Sequence, residues 1–440
     1  MAKPYNPVSA ADYLPRNLLQ EIQLKRLQYI VKHEYDNVQF YREKMDEKGV
    51  KPEDIKTLKD IRLLPFMMKK DLRDTYPFGL FAVPMNKIVR LHASSGTTGK
   101  PIVVGYTKED VESWSNCMAR SLAAGGVCST DIIQNSYGYG LFTGGLGAHY
   151  GIETLGATVV PTSGGNTERQ IMLMRDFGVN GICCTPSYFI HLCEKAQEMG
   201  VDMKQLPIRV GFFGAEPWTQ EMRQRIEAAS GIETFDIYGL SEMSGPGVGI
   251  ECECHCGLHI FEETFYPEII DPETCEVLPD GERGELVFTT INKFGMPMIR
   301  YRTRDLTRII PEPCPCGRTL RRIDRISARS DDMFIIRGVN VFPSQIESAL
   351  LSADNAIQPH YRITLTRRPD GLDDMMIEIE VREDQFTDEV RGMEALRQKF
   401  SHEIERILGI RALVKMVPPG AIPRSEGKAK RVFDLRNSAK

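Results

Sequence analysis

Between Ala157 and Ser230 the chain repeats one local pattern, a short apolar run followed by residues that start a helix. Ala157 to Val160 is the first such run. Gly181-Ile182-Cys183-Cys184 is the second, with Thr185 placed as an N-cap and Pro186 at the first helical position, and Ile208 to Phe213 repeats the theme before a helix starting near Thr219. Short apolar strands alternating with helices predict an α/β fold whose mostly parallel sheets are covered by helices on both faces. Ligands in such folds bind beyond the carboxyl ends of the strands. Those ends are where the stretches 94–101, Gly214-Ala215-Glu216 and Tyr238 to Glu242 fall.

The pattern changes near residue 330. After it come a strand-like Phe334-Ile335-Ile336, a helix start at Pro343-Ser344-Gln345, an alternating strand from Met376 to Val381 and a helix from about Asp388 to Leu408. The expected organisation is therefore a large domain over 1–330 and a small α+β domain over 331–440, each of foldable size. At the other end, Leu18, Leu19, Ile22, Tyr29 and Ile30 recur at helical spacing and predict an amphipathic helix over 15–35 that packs on the main body.

His92-Ala93-Ser94-Ser95-Gly96-Thr97-Thr98-Gly99-Lys100-Pro101 follows an apolar segment. Its glycines let backbone approach an anion closely, and its hydroxyls and ammonium group supply donors for phosphate oxygens. Only two residues separate Gly96 and Gly99, and Pro101 follows Lys100, so it is not the common nucleotide-hydrolase loop. It reads as a polyphosphate-binding loop.

Further on stand Ile237-Tyr238-Gly239-Leu240-Ser241-Glu242, Tyr301-Arg302-Thr303-Arg304-Asp305, Arg329-Ser330-Asp331-Asp332-Met333 and Pro423-Arg424-Ser425-Glu426-Gly427-Lys428. In that order, with the loop, they resemble the adenylate-forming acyl-CoA synthetase superfamily from residue 94 to the C-terminus. Arg337-Gly338-Val339-Asn340-Val341-Phe342-Pro343 and Asn135-Ser136-Tyr137-Gly138-Tyr139-Gly140 narrow the resemblance to the phenylacetate-CoA ligases.

The resemblance implies roles residue by residue. Ser94 to Lys100 would cradle the phosphates of ATP, with Thr97, Thr98 and Lys100 on the β- and γ-phosphates. Glu242 would hold Mg2+, a hard cation suited to a carboxylate oxygen. Gly214, Ala215, Glu216, Asp236, Ile237, Tyr238 and Gly239 would frame the adenine, while Asp305 and Arg329 would meet the ribose. Lys428 would bridge the substrate carboxylate and the α-phosphate. A turn of the mobile small domain about Asp331 would then remove Lys428 and bring Arg337 and Gly338 to admit coenzyme A. Tyr137, Phe142, Gly144, Gly145, Ala215 and Pro246 match positions lining the acyl pocket, and this mix of aromatic and very small side chains suits a flat aryl acid.

The eleven cysteines are an odd number spread through a large chain, which argues against a disulfide framework. Cys117, Cys128, Cys183, Cys184, Cys193 and Cys275 lie among apolar or small neighbours and read as buried hydrophobes. The other five cluster: Cys252-Glu253-Cys254-His255-Cys256-Gly257-Leu258-His259 is answered by Cys314-Pro315-Cys316-Gly317. In a reducing compartment such a pair of segments favours a structural Zn2+ site. Cys314 and Cys316 are its firmest members. Resemblance to ligases that keep a Cys and a Gly-x-His here favours Cys252 and His259, with Cys254 and Cys256 as alternatives.

A net charge of -5 with both signs interspersed gives no surface for nucleic acid, and no apolar run reaches a membrane span. The expected setting is cytoplasmic, with aryl acid, ATP and coenzyme A as small-molecule partners and room for a homodimer. Two rival readings are another adenylating enzyme, acting on indoleacetate or benzoate or on a carrier-protein thiol, and a degenerate nucleotide- or acyl-binding protein. Intact Lys100, Glu242, Asp305 and Lys428 speak against the latter.

Overall fold

In the computed structural model the alternation of strand and helix builds two sheet-centred units. The structure describes residues 5–93, 101–326, 328–330, 333–337, 339–354, 360–368, 373–381, 390–423 and 430–436. One compact unit comprises Met1–Cys184, Lys204–Ala215 and Ile232–Ile326, the other Thr185–Met203, Glu216–Gly231 and Ser327–Lys440.

The first unit contains β1 (Arg90–Ala93), β2 (Val103–Tyr106), β3 (Ile132–Asn135), β4 (Thr158–Val160), β5 (Gly181–Cys184), β6 (Val210–Gly214), β7 (Glu233–Leu240), β8 (Gly245–Glu251), β9 (Leu258–Ile260), β10 (Phe265–Ile270), β11 (Gly284–Thr290), β12 (Tyr301–Thr307), β13 (Ile309–Ile310) and β14 (Arg322–Ile323). Nine of them form one sheet in the order β13-β14-β9-β8-β7-β6-β5-β3-β4. The expected parallel pairing runs from β4 through β3, β5 and β6 to β7. From β7 onward the pairs are antiparallel, because residues 241–244 are too few for a crossover and reverse the chain directly. β10, β11 and β12 make a second, antiparallel layer.

Helices α1 (Arg16–Asn37), α2 (Gln39–Glu47), α3 (Lys69–Asp74), α4 (Lys108–Ala124), α5 (Gly144–Leu155) and α6 (Thr167–Asp176) also belong to this unit. α4 starts on a capping box of Thr107 and Asp110. It meets α5 at glycines: a Cβ on Gly147 would lie 2.4 Å from Trp114, and one on Gly151 2.3 Å from the Met118 side chain. That contact places the start of α5 beside the end of β7. The predicted N-terminal helix is present, but its buried stripe is Leu19, Gln23, Leu27, Ile30, Val31 and Glu34. Leu18 and Tyr29, expected inside, are exposed. Two polar residues lie on the inner face, where the Gln23 amide donates to the Glu262 carbonyl at 3.0 Å.

In the second unit are α7 (Pro186–Glu198), α8 (Gln220–Ser230), α9 (Pro343–Ala353) and α10 (Val390–Leu408). Thr185 caps α7 by accepting from the Tyr188 amide, with Pro186 at the first turn, as the sequence predicts. α7 packs on α8, α8 on α9 and α9 on α10. A four-stranded sheet runs in the order 413–417, 373–380, 361–367, 432–434, and its apolar face joins Ile346, Leu350, Phe400 and Ile404 in one core.

Three cysteines read as core differ. Cys128 is exposed, and Cys193 and Cys275 are partly so, whereas Cys117, Cys183 and Cys184 are buried. Cys128 follows a turn and Cys275 sits in a surface loop, where small neighbours signal bends rather than interior. Among the described residues no helix is long and apolar enough to cross a membrane.

Candidate active site and candidate metal centre

β7 ends in the turn 241–244, closed by the Met243 and Ser244 amides donating to the Leu240 carbonyl at 3.1 and 3.2 Å. This turn carries Glu242. Its side chain is buried, and Tyr301 directs its hydroxyl at Oε1 over 3.4 Å. The turn is held from behind: Tyr106 donates to the Ser241 and Ser244 carbonyls at 3.3 and 3.2 Å, and Lys293 to the Glu242 carbonyl at 3.0 Å. Thr143, which leads into α5, meets the Ser241 hydroxyl at 3.2 Å.

Tyr238 and Asp305 come together although 67 positions separate them, the phenol donating to Oδ2 at 2.5 Å. Asp305 is buried on β12. Nearby, Ala215 takes a left-handed φ of 69° just beyond β6, and Arg304 does so at 69° on β12. Such backbone costs energy for a residue with a Cβ and gathers at functional sites. Gly214 and Gly239 are glycines for close backbone approach, since a Cβ on either would lie 2.2 Å from the Ile237 carbonyl or 2.0 Å from the Gly245 carbonyl. The Ile237 side chain belongs to the core. Asp236 donates its amide to Glu251 at 2.9 Å and stands 3.7 Å from the Arg325 guanidinium.

The residues expected to line an acyl pocket also lie close together in this unit. A Cβ on Gly144 would meet the Phe142 ring at 2.9 Å and the Tyr137 side chain at 3.3 Å, while one on Gly145 would meet the Gly138 carbonyl at 2.4 Å. Pro246 pairs with Gly239 across β7 and β8. The Trp114 indole donates to the Pro246 carbonyl at 2.8 Å and stacks on Tyr106, giving the region a rigid aromatic wall. His92, buried at the end of β1, donates through Nδ1 to the Leu141 carbonyl at 3.0 Å, and the Ala93 amide reaches the same oxygen. The strand that ends at Ala93 is thereby tied to the segment bearing Phe142. Trp114, Thr143 and Tyr301 were not singled out by the sequence reading; only Tyr301 carried a signal, as the opening residue of Tyr-Arg-Thr-Arg-Asp.

Glu216, Arg329 and Arg337 lie in the second unit. Glu216 accepts from the Ser187 amide at 2.8 Å, and Arg337, at a φ of 52°, pairs with Asp374 at 2.9 Å. Ser94, Ser95, Gly96, Thr97, Thr98, Gly99, Lys100, Asp331, Gly338 and Lys428 lie outside the described residues.

On the far side of the first unit, Cys252, His259, Cys314 and Cys316 bring one ligand atom each within 4.8 Å of one another. The Cys252 and Cys314 sulfurs are 3.6 Å apart, and the Cys316 sulfur is 3.4 Å from His259 Nε2. A tetrahedral zinc with bonds of about 2.3 Å to sulfur and about 2.0 Å to nitrogen requires separations of roughly 3.7 and 3.5 Å, so the set fits the ion. His259 turns Nδ1 to the Leu320 carbonyl at 3.3 Å, which aims Nε2 at the sulfurs. A hydrogen bond from Cys252 and the facing imidazole hold the Cys316 thiol well below its ordinary range. Cys256 also comes within 3.7 Å of Cys314, but the Arg322 guanidinium engages its sulfur at 2.7 Å.

Comparison with known proteins agrees with this geometry. The profile described as AMP-binding enzyme matches residues 11–294, and the AMP-binding enzyme C-terminal domain matches 338–436. Phenylacetate-coenzyme A ligase of Escherichia coli (strain K12) is 53% identical over 421 residues, 95% of each chain. The chain belongs to the phenylacetate-CoA ligase family of AMP-binding enzymes.

Similarity extends to a second bacterial ligase and to a solved structure. Phenylacetate-coenzyme A ligase of Thermus thermophilus is 49% identical over 97% of this chain and 98% of its own. The crystal structure of a 2-hydroxyisobutyryl-CoA ligase in the postadenylation state, bound to an acyl-AMP, superimposes with a TM-score of 0.91 at 30% identity, covering 99% of this chain and 94% of that one. This family consists of AMP-forming ligases that use ATP and coenzyme A, and the turn bearing Glu242 and the Tyr238–Asp305 pair belong to that fold.

Proposed function

We propose that the chain joins an aryl acetic acid, phenylacetate first of all, to coenzyme A through an acyl-adenylate. The observation that carries the reading is the joining of Tyr238 on β7 to Asp305 on β12, with Glu242 buried in the turn that ends β7 and the aromatic and glycine residues of 137–145 packed close together. Its 53% identity to a phenylacetate-coenzyme A ligase supports phenylacetate as the acid.

In the first half-reaction a carboxylate oxygen attacks the α-phosphorus of ATP and pyrophosphate leaves. The 94–100 loop holds the β- and γ-phosphates, Asp305 accepts from the ribose hydroxyls, and Tyr238 orients that carboxylate through its short hydrogen bond. Glu242 is a single hard carboxylate, which suits Mg2+ carried mostly by phosphate oxygens. When bound, the cation neutralises charge on the departing pyrophosphate. Lys428 bridges carboxylate and α-phosphate. In the second half-reaction the thiol of coenzyme A attacks the acyl carbonyl, its proton is lost, and AMP leaves with the C–O bond electrons. Residues 331–440 act as the mobile domain, turning about Asp331 so that Lys428 withdraws and Arg337 and Gly338 approach.

The knuckle of Cys252, His259, Cys314 and Cys316 holds a structural Zn2+. Four protein ligands leave no position for substrate. The reducing cytosol keeps these thiols available.

The test incubates the protein with ATP, Mg2+, coenzyme A and a panel of phenylacetate, indoleacetate, benzoate and short aliphatic acids. Pyrophosphate release that needs both acid and ATP, with phenylacetate giving the highest kcat/KM and a thioester product, is expected. A preference for another acid overturns the substrate, and no release with any acid overturns the enzyme.

A further inference from the structure

Lys293 is only 1% exposed, yet no motif placed it in the site. Its ammonium donates to the Glu242 carbonyl at 3.0 Å and lies 4.9 Å from the centre of the Tyr106 ring. Tyr106 in turn donates to the Ser241 and Ser244 carbonyls. Three of the four carbonyls in the turn that presents Glu242 are thus held by two buried groups that touch each other.

The lysine is itself held in place. The next two amides, of Phe294 and Gly295, donate to the two oxygens of Asp110 at 2.6 and 2.8 Å, and the same carboxylate caps α4 through the Thr107 amide at 2.8 Å. On the other side, the Asn292 amide group donates to the Ser113 hydroxyl at 2.9 Å. The first turns of α4 therefore fix the segment that carries the ammonium group.

Burying a lysine is expensive, and an apolar side chain of the same length would fill the space at lower cost. The surroundings soften that cost without removing it. Asp110, Glu242 and Glu34 face the ammonium, and burial pushes the Glu34 carboxyl up toward its neutral form. What the lysine supplies that an apolar residue lacks is a donor aimed at the backbone of Glu242. A carboxylate that meets a metal–nucleotide must be held to about half an ångström, and a carbonyl anchored directly behind it does that.

We propose that Lys293 is a positioning residue of adenylation, fixing the Glu242 turn so that its carboxylate meets the magnesium–ATP substrate. This rests on the reading of Glu242 given above. Lys293 is buried behind the turn and acts on its backbone, so its effect should fall on the nucleotide half of the site.

Lys293→Met, Glu242→Ala and the double variant test this. Magnesium–ATP and phenylacetate affinities are read by titration calorimetry, and adenylation by acid-dependent ATP–pyrophosphate exchange. Lys293→Met should weaken magnesium–ATP binding about tenfold and leave phenylacetate binding within about twofold. In the Glu242→Ala background the same change should add less than about twofold. Equal weakening of both ligands, or full additivity with Glu242→Ala, overturns the inference while the Glu242 reading stands. Unchanged magnesium–ATP binding in Glu242→Ala overturns both. Should Lys293→Met not fold, Lys293→Gln, with a donor one atom short of the carbonyl, goes through the same cycle with the same criteria.

Discussion

Replacing Cys314 and Cys316 by serine should loosen more than the knuckle itself, because the residues that follow grip the N-terminus. The Thr319 amide donates to the Asp12 carbonyl at 2.9 Å and its hydroxyl to the Leu14 carbonyl at 2.6 Å, while the Arg318 guanidinium reaches the Asp12 carboxylate at 3.2 Å. Asp12 also pairs with the buried Arg120 on α4 at 2.5 Å. Two neutral hydrogen bonds at about 1 kcal/mol each and one charged bond at about 2 kcal/mol give a loss of about 4 kcal/mol. For a unit of roughly 300 residues, with an unfolding entropy of about 0.6 kcal/mol/K, that lowers the melting temperature by about 6 °C. Emission spectrometry should find about one zinc per wild-type chain and none in the variant, with differential scanning fluorimetry reading the shift. Ligase activity well below the melting point should largely survive. Wild-type protein purified without chelators that holds no metal, and melts with the variant, would refute the argument. Complete loss of activity in a folded variant would instead assign the metal to the chemistry.

Asp305→Ala should weaken ATP binding by about 1 to 3 kcal/mol, since two ribose hydroxyls lose their acceptor; calorimetry that finds ATP binding unchanged removes Asp305 from the ribose. Lys428→Ala should nearly abolish adenylate formation yet leave a supplied acyl-adenylate reactive toward coenzyme A, and equal loss of both steps would sink the two-orientation scheme. Glu262 gives a pH test: burial pushes its carboxyl up, but Arg321 and Arg16 more than offset this and bring it down to about 2. Its contribution is present above the unfolded value of about 4.3 and is lost as pH falls toward 2, on the order of 3 kcal/mol at most. The stability gap between wild type and Glu262→Gln in denaturant titrations should therefore narrow from pH 6 to pH 3, and a constant gap contradicts it.

What could be read in advance was local. Thr185-Pro186 and Thr219 mark helix starts by chemistry that acts within three residues, and the structure places α7 and α8 there. Cys314 and Cys316 stood out as soft ligands with turn-forming neighbours, while Cys252 and His259 were preferred to Cys254 and Cys256 only by resemblance; in the structure these four bring a ligand atom each within 4.8 Å. The inner face of α1 was not legible, since Gln23 and Glu34 are polar and the reason for burying Gln23, the Glu262 carbonyl, lies 239 positions away. Lys293 escaped notice for the same reason, and Tyr301 was seen only as the start of its motif: each acts on Glu242 from more than 50 positions off. The antiparallel half of the large sheet was hidden because its strands are as apolar as the parallel ones, and only the shortness of the 241–244 turn tells them apart.

The composition of the second unit bears on how the protein is made. α8 ends at Ser230, and its packing partner α9 begins only at Pro343, so roughly a hundred residues must be synthesised between them. At about 5 to 20 residues per second, α8 waits several seconds on the ribosome before α9, on which it packs, exists. During that interval α8 is a nascent helix with an unclaimed face, a natural point for a chaperone to hold the chain. A fragment beginning at residue 327 would lack both helices yet keep the core of Phe334, Ile336, Ile346, Ile363, Phe400 and Ile404, which draws on neither of them, so it should fold alone with the face of α9 that meets α8 left bare.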